Sequence, residues 1–250
     1  MSEYTPIQPD APVAVPDKRS SGGFHTVGFY SRFFDINTED FVGKIVLALN
    51  PFNHASVVNS QSEEGPTELY GFIWINATLV YLMFVSATGS NLLAEWLHAL
   101  ESAEKYAYNF QLLTLSISLF YGYTIAVPAL LYVITTWFLH YPQRLSLTRL
   151  VSIYSYANVL WIPTTAANVV LAVFVSNAKH HMILNTAQWA LVAVSGLLSG
   201  LSIVLKVRPI LIRNATETGA ERQNKLLLSG LVLAHMGFAV AIKFAFFGIA

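Results

Sequence analysis

The sequence predicts an all-α integral membrane protein, a bundle of five transmembrane helices with a cytosolic N-terminal segment. Three observations carry that expectation. Hydrophobic residues make up 54% of the 250 and charged residues 11%, against about 25% charged in an ordinary soluble domain. Mean hydropathy is +0.52. The charges gather in short stretches between long uncharged runs, the pattern of loops between membrane spans. Formal net charge is zero, so composition argues for neither nucleic acid nor an acidic partner. The chain has no cysteine, which excludes disulfides, thiolate metal sites, cysteine nucleophiles and lipidation of the chain on cysteine.

The N-terminal part divides in two. Residues 1–28 are expected to be a disordered cytosolic tail, because Pro6, Pro9, Pro12, Pro16 and the run Ser20-Ser21-Gly22-Gly23 leave too little apolar surface to offset ordering entropy. Residues 29–68 are expected to be a cytosolic segment with a short amphipathic helix over 37–49. Asn37 can cap that helix, Asp40 falls at its N3 position, and Asn50-Pro51 supplies a stop. Phe41, Val42, Ile45, Val46, Ala48 and Leu49 share one face, while Glu39, Asp40, Gly43 and Lys44 lie opposite and Leu47 breaks the pattern. The polar face is not basic, so the helix is expected to pack on the bundle or on a partner helix rather than on anionic lipid.

Uncharged runs occupy 69–94, 106–143, 150–178 and 180–205, and 226–250 is interrupted only by Lys243. A crossing takes about 20 apolar residues, so spans are expected near 70–93, 112–138, 151–175, 184–205 and 226–249. No cleavable signal is legible; the first apolar run begins near Tyr70 and is expected to direct insertion. With the N-terminus in the cytosol, eleven of the fourteen Lys and Arg fall on that side. Only Lys105 and Lys179 fall on the other, and Lys243 lies inside the last span. The charge bias therefore orients the N-terminus to the cytosol and the C-terminus to the lumen or exterior.

Catalytic and metal chemistry find little support. His180 and His181 are adjacent and point about 100° apart on a helix, and His98, His140 and His235 are scattered, so no metal site is expected. Ser195-Gly196 and Ser199-Gly200 do not form G-x-S-x-G, and no Asp or Glu lies within a span, so no enzyme, cofactor or proton relay is expected. Gly196-x-x-x-Gly200 instead suits helix packing, with small residues one turn apart. Asn76, Asn158, Asn168 and Gln188 are expected to hydrogen-bond between helices, and Lys243 to snorkel toward the nearer surface. Pro128 and Pro163 follow Tyr121-Gly122-Tyr123 and Tyr154-Ser155-Tyr156, and each is expected to kink its span. Tyrosines near span ends suit the membrane interface.

The run Glu68-Leu69-Tyr70-Gly71-Phe72-Ile73-Trp74 resembles the signature that opens the first span of Yip domain proteins. Gly89-Ser90-Asn91-Leu92 resembles the end of that span. Phe34-Asp35-Ile36-Asn37-Thr38 resembles the aromatic-Asp-x-Asp-Thr element of the YIPF branch, and Tyr154-Ser155-Tyr156 with Ile162-Pro163 its third-span elements. Pro209, Arg213 and His235 match further positions. Phe72 stands where the pattern has Pro, and Ser155 where it has Gly.

The resemblance spans roughly residues 29–247 and implies a five-span Yip-type membrane domain over 69–250. Its motif residues are Leu69, Tyr70, Gly71, Trp74, Tyr156 and Pro163. It implies a multi-pass protein of the Golgi or endoplasmic reticulum, an adaptor or scaffold in vesicle-mediated transport. The implied partners are prenylated Rab/Ypt GTPases, other Yip/Yif-type proteins and membrane lipids. Phe34, Asp35, Thr38 and Asp40 are the first candidates for partner contact. The alternative from another class is a channel, transporter or lipid-handling protein using kinked, polar-lined spans.

The topology carries a prediction. Asn214-Ala-Thr216 and Asn76-Ala-Thr78 have the form of glycosylation sequons, one assigned to the cytosolic side and one inside the first span. Neither is expected to carry glycan. An endoglycosidase mobility shift abolished by Asn214→Gln would reverse the assigned orientation.

Overall fold

The computed structural model describes residues 25–31, 33–50, 52, 68–98, 110–143, 145–174 and 177–247, with side chains described except at 87–98 and 172–181. The expected disordered tail up to residue 24 lies outside the described residues, as does the run 89–92 in its side chains. The chain divides into two compact units, Met1–Arg32 and Phe33–Ala250. In the first, α1 (Val27–Ser31) is a single short helix. The rest concerns the second.

Regular structure among the described residues is wholly helical. α2 is Thr38–Leu49 and α3 is Tyr70–His98. α4 (Phe110–Val133) continues into a π turn, Ile134–Phe138. α5 (Leu147–Ala157) leads through a 3-10 turn, Asn158–Leu160, into α6 (Trp161–Phe174). α7 (Asn177–Thr218) and α8 (Glu221–Phe246) close the bundle. α3 packs on α4, α5 and α6, and α8 packs on α7 and α4.

Among the described residues three helical stretches are long and apolar enough to cross a membrane: Phe110–Phe138, Met182–Thr218 and Glu221–Phe246. The other two expected spans are also helical. α3 runs unbroken from Tyr70 to His98, with Tyr70–Ser86 its apolar stretch among the residues whose side chains are described. The span expected over 151–175 is divided by the 3-10 turn. Pro163 explains the division: it cannot bond the carbonyl of Val159, and its ring crowds that group, so the preceding turn tightens. In α4, Pro128 sits inside the helix. The helix widens further on, where the Leu139 N–H donates to the Ile134 carbonyl at 2.9 Å.

Residues 206–225, read from sequence as a loop, are almost entirely helix. α7 has 42 residues, about 63 Å at 1.5 Å per residue and twice a hydrocarbon core of about 30 Å. It therefore projects well beyond the span expected at 184–205. The turn into α8 is only Gly219 and Ala220. Gly219 has φ +69°, the left-handed conformation that ends helices and favours glycine.

The outside is apolar and much of the inside is polar. Leu197 is 72% exposed and Phe244 69%, whereas Asn76, Thr124, Asn158 and Ser199 are fully buried. Hydrocarbon supplies no hydrogen-bond partners, so buried polar groups must find one another. Asn158 Nδ2 donates to Asn76 Oδ1 at 2.9 Å and to Thr124 Oγ1 at 3.0 Å, joining the 3-10 turn to α3 and α4. Gln188 Nε2 donates to Asn168 Oδ1 at 2.9 Å, joining α7 to α6. The Thr164 and Ser195 hydroxyls pair between the same two helices. Lys243 does not snorkel outward. It is buried, with Nζ bonded to the Phe247 carbonyl and 3.4 Å from Gln188 Oε1.

Tyr121 and Tyr123 bond to neighbouring helices, while Tyr81 is exposed. The Tyr121 hydroxyl donates to the Ile73 carbonyl at 2.8 Å. That of Tyr123 lies 2.6 Å from His235 Nδ1, and its ring stacks on Phe238 at 3.9 Å. Asn214 is buried, its Oδ1 accepting from the Gln143 N–H at 2.9 Å and its Nδ2 donating to the Ile210 carbonyl. Packing alone thus bars a glycan there, so orientation is better read from a sequon engineered at an exposed position.

Gly196 and Gly200 face α8. A Cβ at Gly196 would lie 3.0 Å from Ala239 Cβ, and one at Gly200 only 2.6 Å from His235 Cδ2. At Gly237 a Cβ meets nothing within 4 Å. Gly200→Ala is expected to cost about 1–3 kcal/mol by overpacking, whereas Gly237→Ala is expected to be neutral or slightly stabilising. Thermal unfolding of the two variants in detergent checks the contrast; equal Tm values would refute the close approach.

Candidate docking site

A buried carboxylate with three hydrogen-bond partners precedes the first residue of α3 by two. Glu68 is 2% exposed. Its Oε1 accepts from Tyr156 Oη at 2.7 Å and from Lys44 Nζ at 3.1 Å. Its Oε2 accepts from the Gly71 N–H at 3.2 Å, one of the donors that the start of a helix leaves unpaired. A carboxylate here also suits the positive end of the α3 dipole. Lys44 Nζ lies 5.7 Å from the centre of the Tyr156 ring. One carboxylate thus ties α2, α3 and α5 together.

The surrounding residues are shaped for that knot. A Cβ at Gly71 would stand 2.9 Å from the Tyr156 ring, so only glycine lets the ring reach Glu68. Phe41 of α2 meets Tyr70 edge to face at 5.0 Å and Tyr156 at 6.1 Å. The Leu69 N–H donates to the Phe33 carbonyl at 2.7 Å, which fixes the chain leading into α2. Ile45 and Ala48 complete the packed face of α2, whereas Val42, Val46 and Leu49 of the expected apolar face are exposed and Lys44 turns inward to Glu68. Asn37 occupies the N-cap position and accepts from the Phe41 N–H at 3.0 Å through its carbonyl. Its side chain makes no capping bond.

Docking through Phe33, Phe41, Lys44, Ile45 and Ala48 leaves the four partner-contact candidates outward. Phe34, Asp35, Thr38 and Asp40 are all exposed, and Glu39 adds a third carboxylate beside them. An aromatic ring among acidic groups on a fixed support is a surface fitted to a partner with a basic, partly apolar patch. Of the motif residues, Leu69, Tyr70, Gly71 and Tyr156 converge on the Glu68 knot. Trp74 is exposed on α3, its ring 6.1 Å from Tyr70. Pro163 is exposed on α6, seven residues beyond Tyr156.

Sequence reading passed over Lys44, which it assigned to the polar face of α2, and the roles of Glu68 and Thr124. The available signal was Glu68 itself, a lone carboxylate directly before a long uncharged run. It also left His235 among scattered histidines. In the structure His235 Nε2 lies 3.0 Å from the Gly196 carbonyl and 2.9 Å from Ser199 Oγ. A carbonyl only accepts, so the ring proton is assigned to Nε2 and Nδ1 accepts from Tyr123. That tautomer has no lone pair toward Ser199 and cannot take its proton. The Ser199–His235–Tyr123 chain is therefore a packing network, not a hydrolytic triad.

Three known proteins are similar over most of the chain. Protein YIP5 of Saccharomyces cerevisiae is 29% identical over 227 residues, 88% of this chain and 70% of its own. Protein YIP5 of Schizosaccharomyces pombe is 26% identical over 215 residues, 86% of this chain and 78% of its own. The YIPF1 homolog of Dictyostelium discoideum is 24% identical over 227 residues, 90% of this chain and 56% of its own. No family model and no solved structure matches.

The knot makes a prediction. Glu68→Ala leaves the Tyr156 hydroxyl and the Gly71 N–H without their acceptor, at a cost of about 1–3 kcal/mol, and frees α2. Limited proteolysis is expected to cut within residues 33–52 at protease levels that spare the wild type. Glu217→Ala, which removes an exposed pair with Arg213, is expected to leave the pattern unchanged.

Proposed function

We propose that this chain, which is similar to two YIP5 proteins and a YIPF1 homolog over most of its length, is a Yip/YIPF-type membrane protein and a non-enzymatic adaptor or scaffold in vesicle-mediated transport. In this reading it crosses the membrane of the Golgi or endoplasmic reticulum five times. The crossings are α3, α4 with its π turn, α5 joined to α6, α7 and α8. The N-terminal segment and the α7–α8 turn face the cytosol, and the C-terminus faces the lumen. Its partners are prenylated Rab/Ypt GTPases and related Yip/Yif-type proteins.

The observation that carries the reading is the acidic-aromatic surface of Phe34, Asp35, Thr38 and Asp40, exposed on the first turn of α2 and the stretch just before it, with α2 held to the bundle by the Glu68 knot. A rigid display lowers the ordering cost of binding. A prenylated partner is already confined to the same membrane by its lipid, so a modest protein contact suffices at the raised local concentration. The channel or transporter alternative is less well supported: Asn76, Thr124 and Asn158 bond one another across the bundle instead of lining an open path.

Point variants test the surface better than deletion of residues 29–50, which would also remove Lys44 and Phe41 from the knot. Full-length protein carrying Phe34→Ala with Asp35→Lys is expected to capture prenylated GTPase about tenfold less well than wild type, the loss typical of central contact residues. Capture of unprenylated GTPase is expected to be weak with either. Equal capture of the prenylated form by variant and wild type would remove this surface as the docking site.

A further inference from the structure

An apolar groove of about 430 Å³ runs between α4 with its π turn and α8. Its volume falls within the roughly 300–1,000 Å³ of sites that bury most of a small ligand. The π turn helps to form it. In an α-helix residues five apart point to different sides, but the wider turn stacks Leu139 on Ile134, and both line the groove. On α8 the lining recurs at helical spacing from Gln223 through Leu226 and Gly230 to Ala234. Gly230 has no side chain, and a Cβ there meets nothing within 4 Å.

The place, length and ends of the groove indicate what fills it. Its walls continue into surface of the kind hydrocarbon covers: Leu130 is 59% exposed and Leu226 67%. From Gln223 to Ala234 it extends about 16 Å along α8, close to half of a hydrocarbon core of about 30 Å, which is one leaflet. It runs along the helices, the direction in which an acyl chain lies. Gln223, the one polar residue of its lining, lies at the end near the α7–α8 turn. Arg222 is exposed one turn before Leu226 and makes no ion pair among the described residues. Arg213 and Lys225 belong to the same end of the hairpin.

We propose that this groove is a lipid site: it holds one acyl chain of an anionic phospholipid, with the phosphate at Arg222 and Gln223. The site rests on membrane embedding and is independent of the GTPase reading. The chain would supply the atoms missing beside Gly230 and brace the π turn of α4 against α8. A defined lipid in a groove exchanges more slowly than the lipid around it.

The test uses full-length protein in phosphatidylcholine vesicles doped with phosphatidylserine carrying a diazirine on its acyl chain. Cross-linked peptides are mapped by mass spectrometry. Labelling is expected at residues 127–139 and 223–234. Gly230→Leu places a side chain in open space, so the fold is expected to survive with an unchanged or higher Tm. Labelling of the groove is expected to fall about tenfold, the ratio a modest loss of binding free energy produces. Gly237→Leu, also unobstructed but outside the groove lining, is expected to label as wild type does. Arg222→Gln is expected to abolish the preference for the phosphatidylserine probe over a phosphatidylcholine probe with the same diazirine chain. Undiminished groove labelling in folded Gly230→Leu would overturn the proposal. So would an unchanged headgroup preference in Arg222→Gln, or displacement of the phospholipid label by a geranylgeranylated cysteine peptide.

Discussion

A polar group inside a membrane bundle has no water to fall back on, and this constraint shapes the polar junctions between helices, although Asn158 Oδ1, Tyr154 Oη and Trp161 Nε1 stay buried without a partner among the described residues. Each interior Asn, Gln, Thr and Tyr that joins two helices sits where its partner can be reached. Asn158 lies in the 3-10 turn, where the helix is already interrupted, and from there it reaches both α3 and α4. The interruption and the polar contact support each other. Pro163 prevents a regular helix at that point, and the side chain nearby turns the resulting irregularity into a junction.

The Glu68 knot applies the same rule at the edge of the bundle. A buried carboxylate is costly unless it is paired and fully hydrogen-bonded. Glu68 meets that demand with a lysine from α2, a phenol from α5 and a backbone N–H from α3. Because the donors come from three elements, α2 cannot leave without stranding the charge. The Lys44–Glu68 pair and the core contacts of Phe41, Ile45 and Ala48 together couple the N-terminal segment to the bundle. The same coupling fixes the direction in which Phe34, Asp35, Thr38 and Asp40 are displayed.

Departures from regular helix mark the places with functional potential. The π turn of α4 and the glycine at position 230 leave space between two long helices where a better-packed pair would close it. The extension of α7 past the expected span carries Arg213 toward the short turn into α8. By contrast Gly196 and Gly200 spend their small size on close contact with α8, so glycine serves opposite ends within one hairpin.

Composition and periodicity alone determined the helical class, its apolar runs, the helix over 38–49 and the break before Pro163, because these follow from hydropathy and backbone sterics within a short window. The run from Glu68 to Trp74 also carries the resemblance to Yip domain proteins, in keeping with the similarity to two YIP5 proteins and a YIPF1 homolog. Which of those residues act together was decided only by the fold. Lys44 and Glu68 are 24 residues apart, Glu68 and Tyr156 88, and Tyr123 and His235 112. No local pattern encodes such pairings; they arise when helices cross. The helical course of 206–218 escaped the sequence for a related reason. Hydropathy reports where a span leaves the hydrocarbon, whereas a helix ends only where its backbone bonding is broken, here at Gly219.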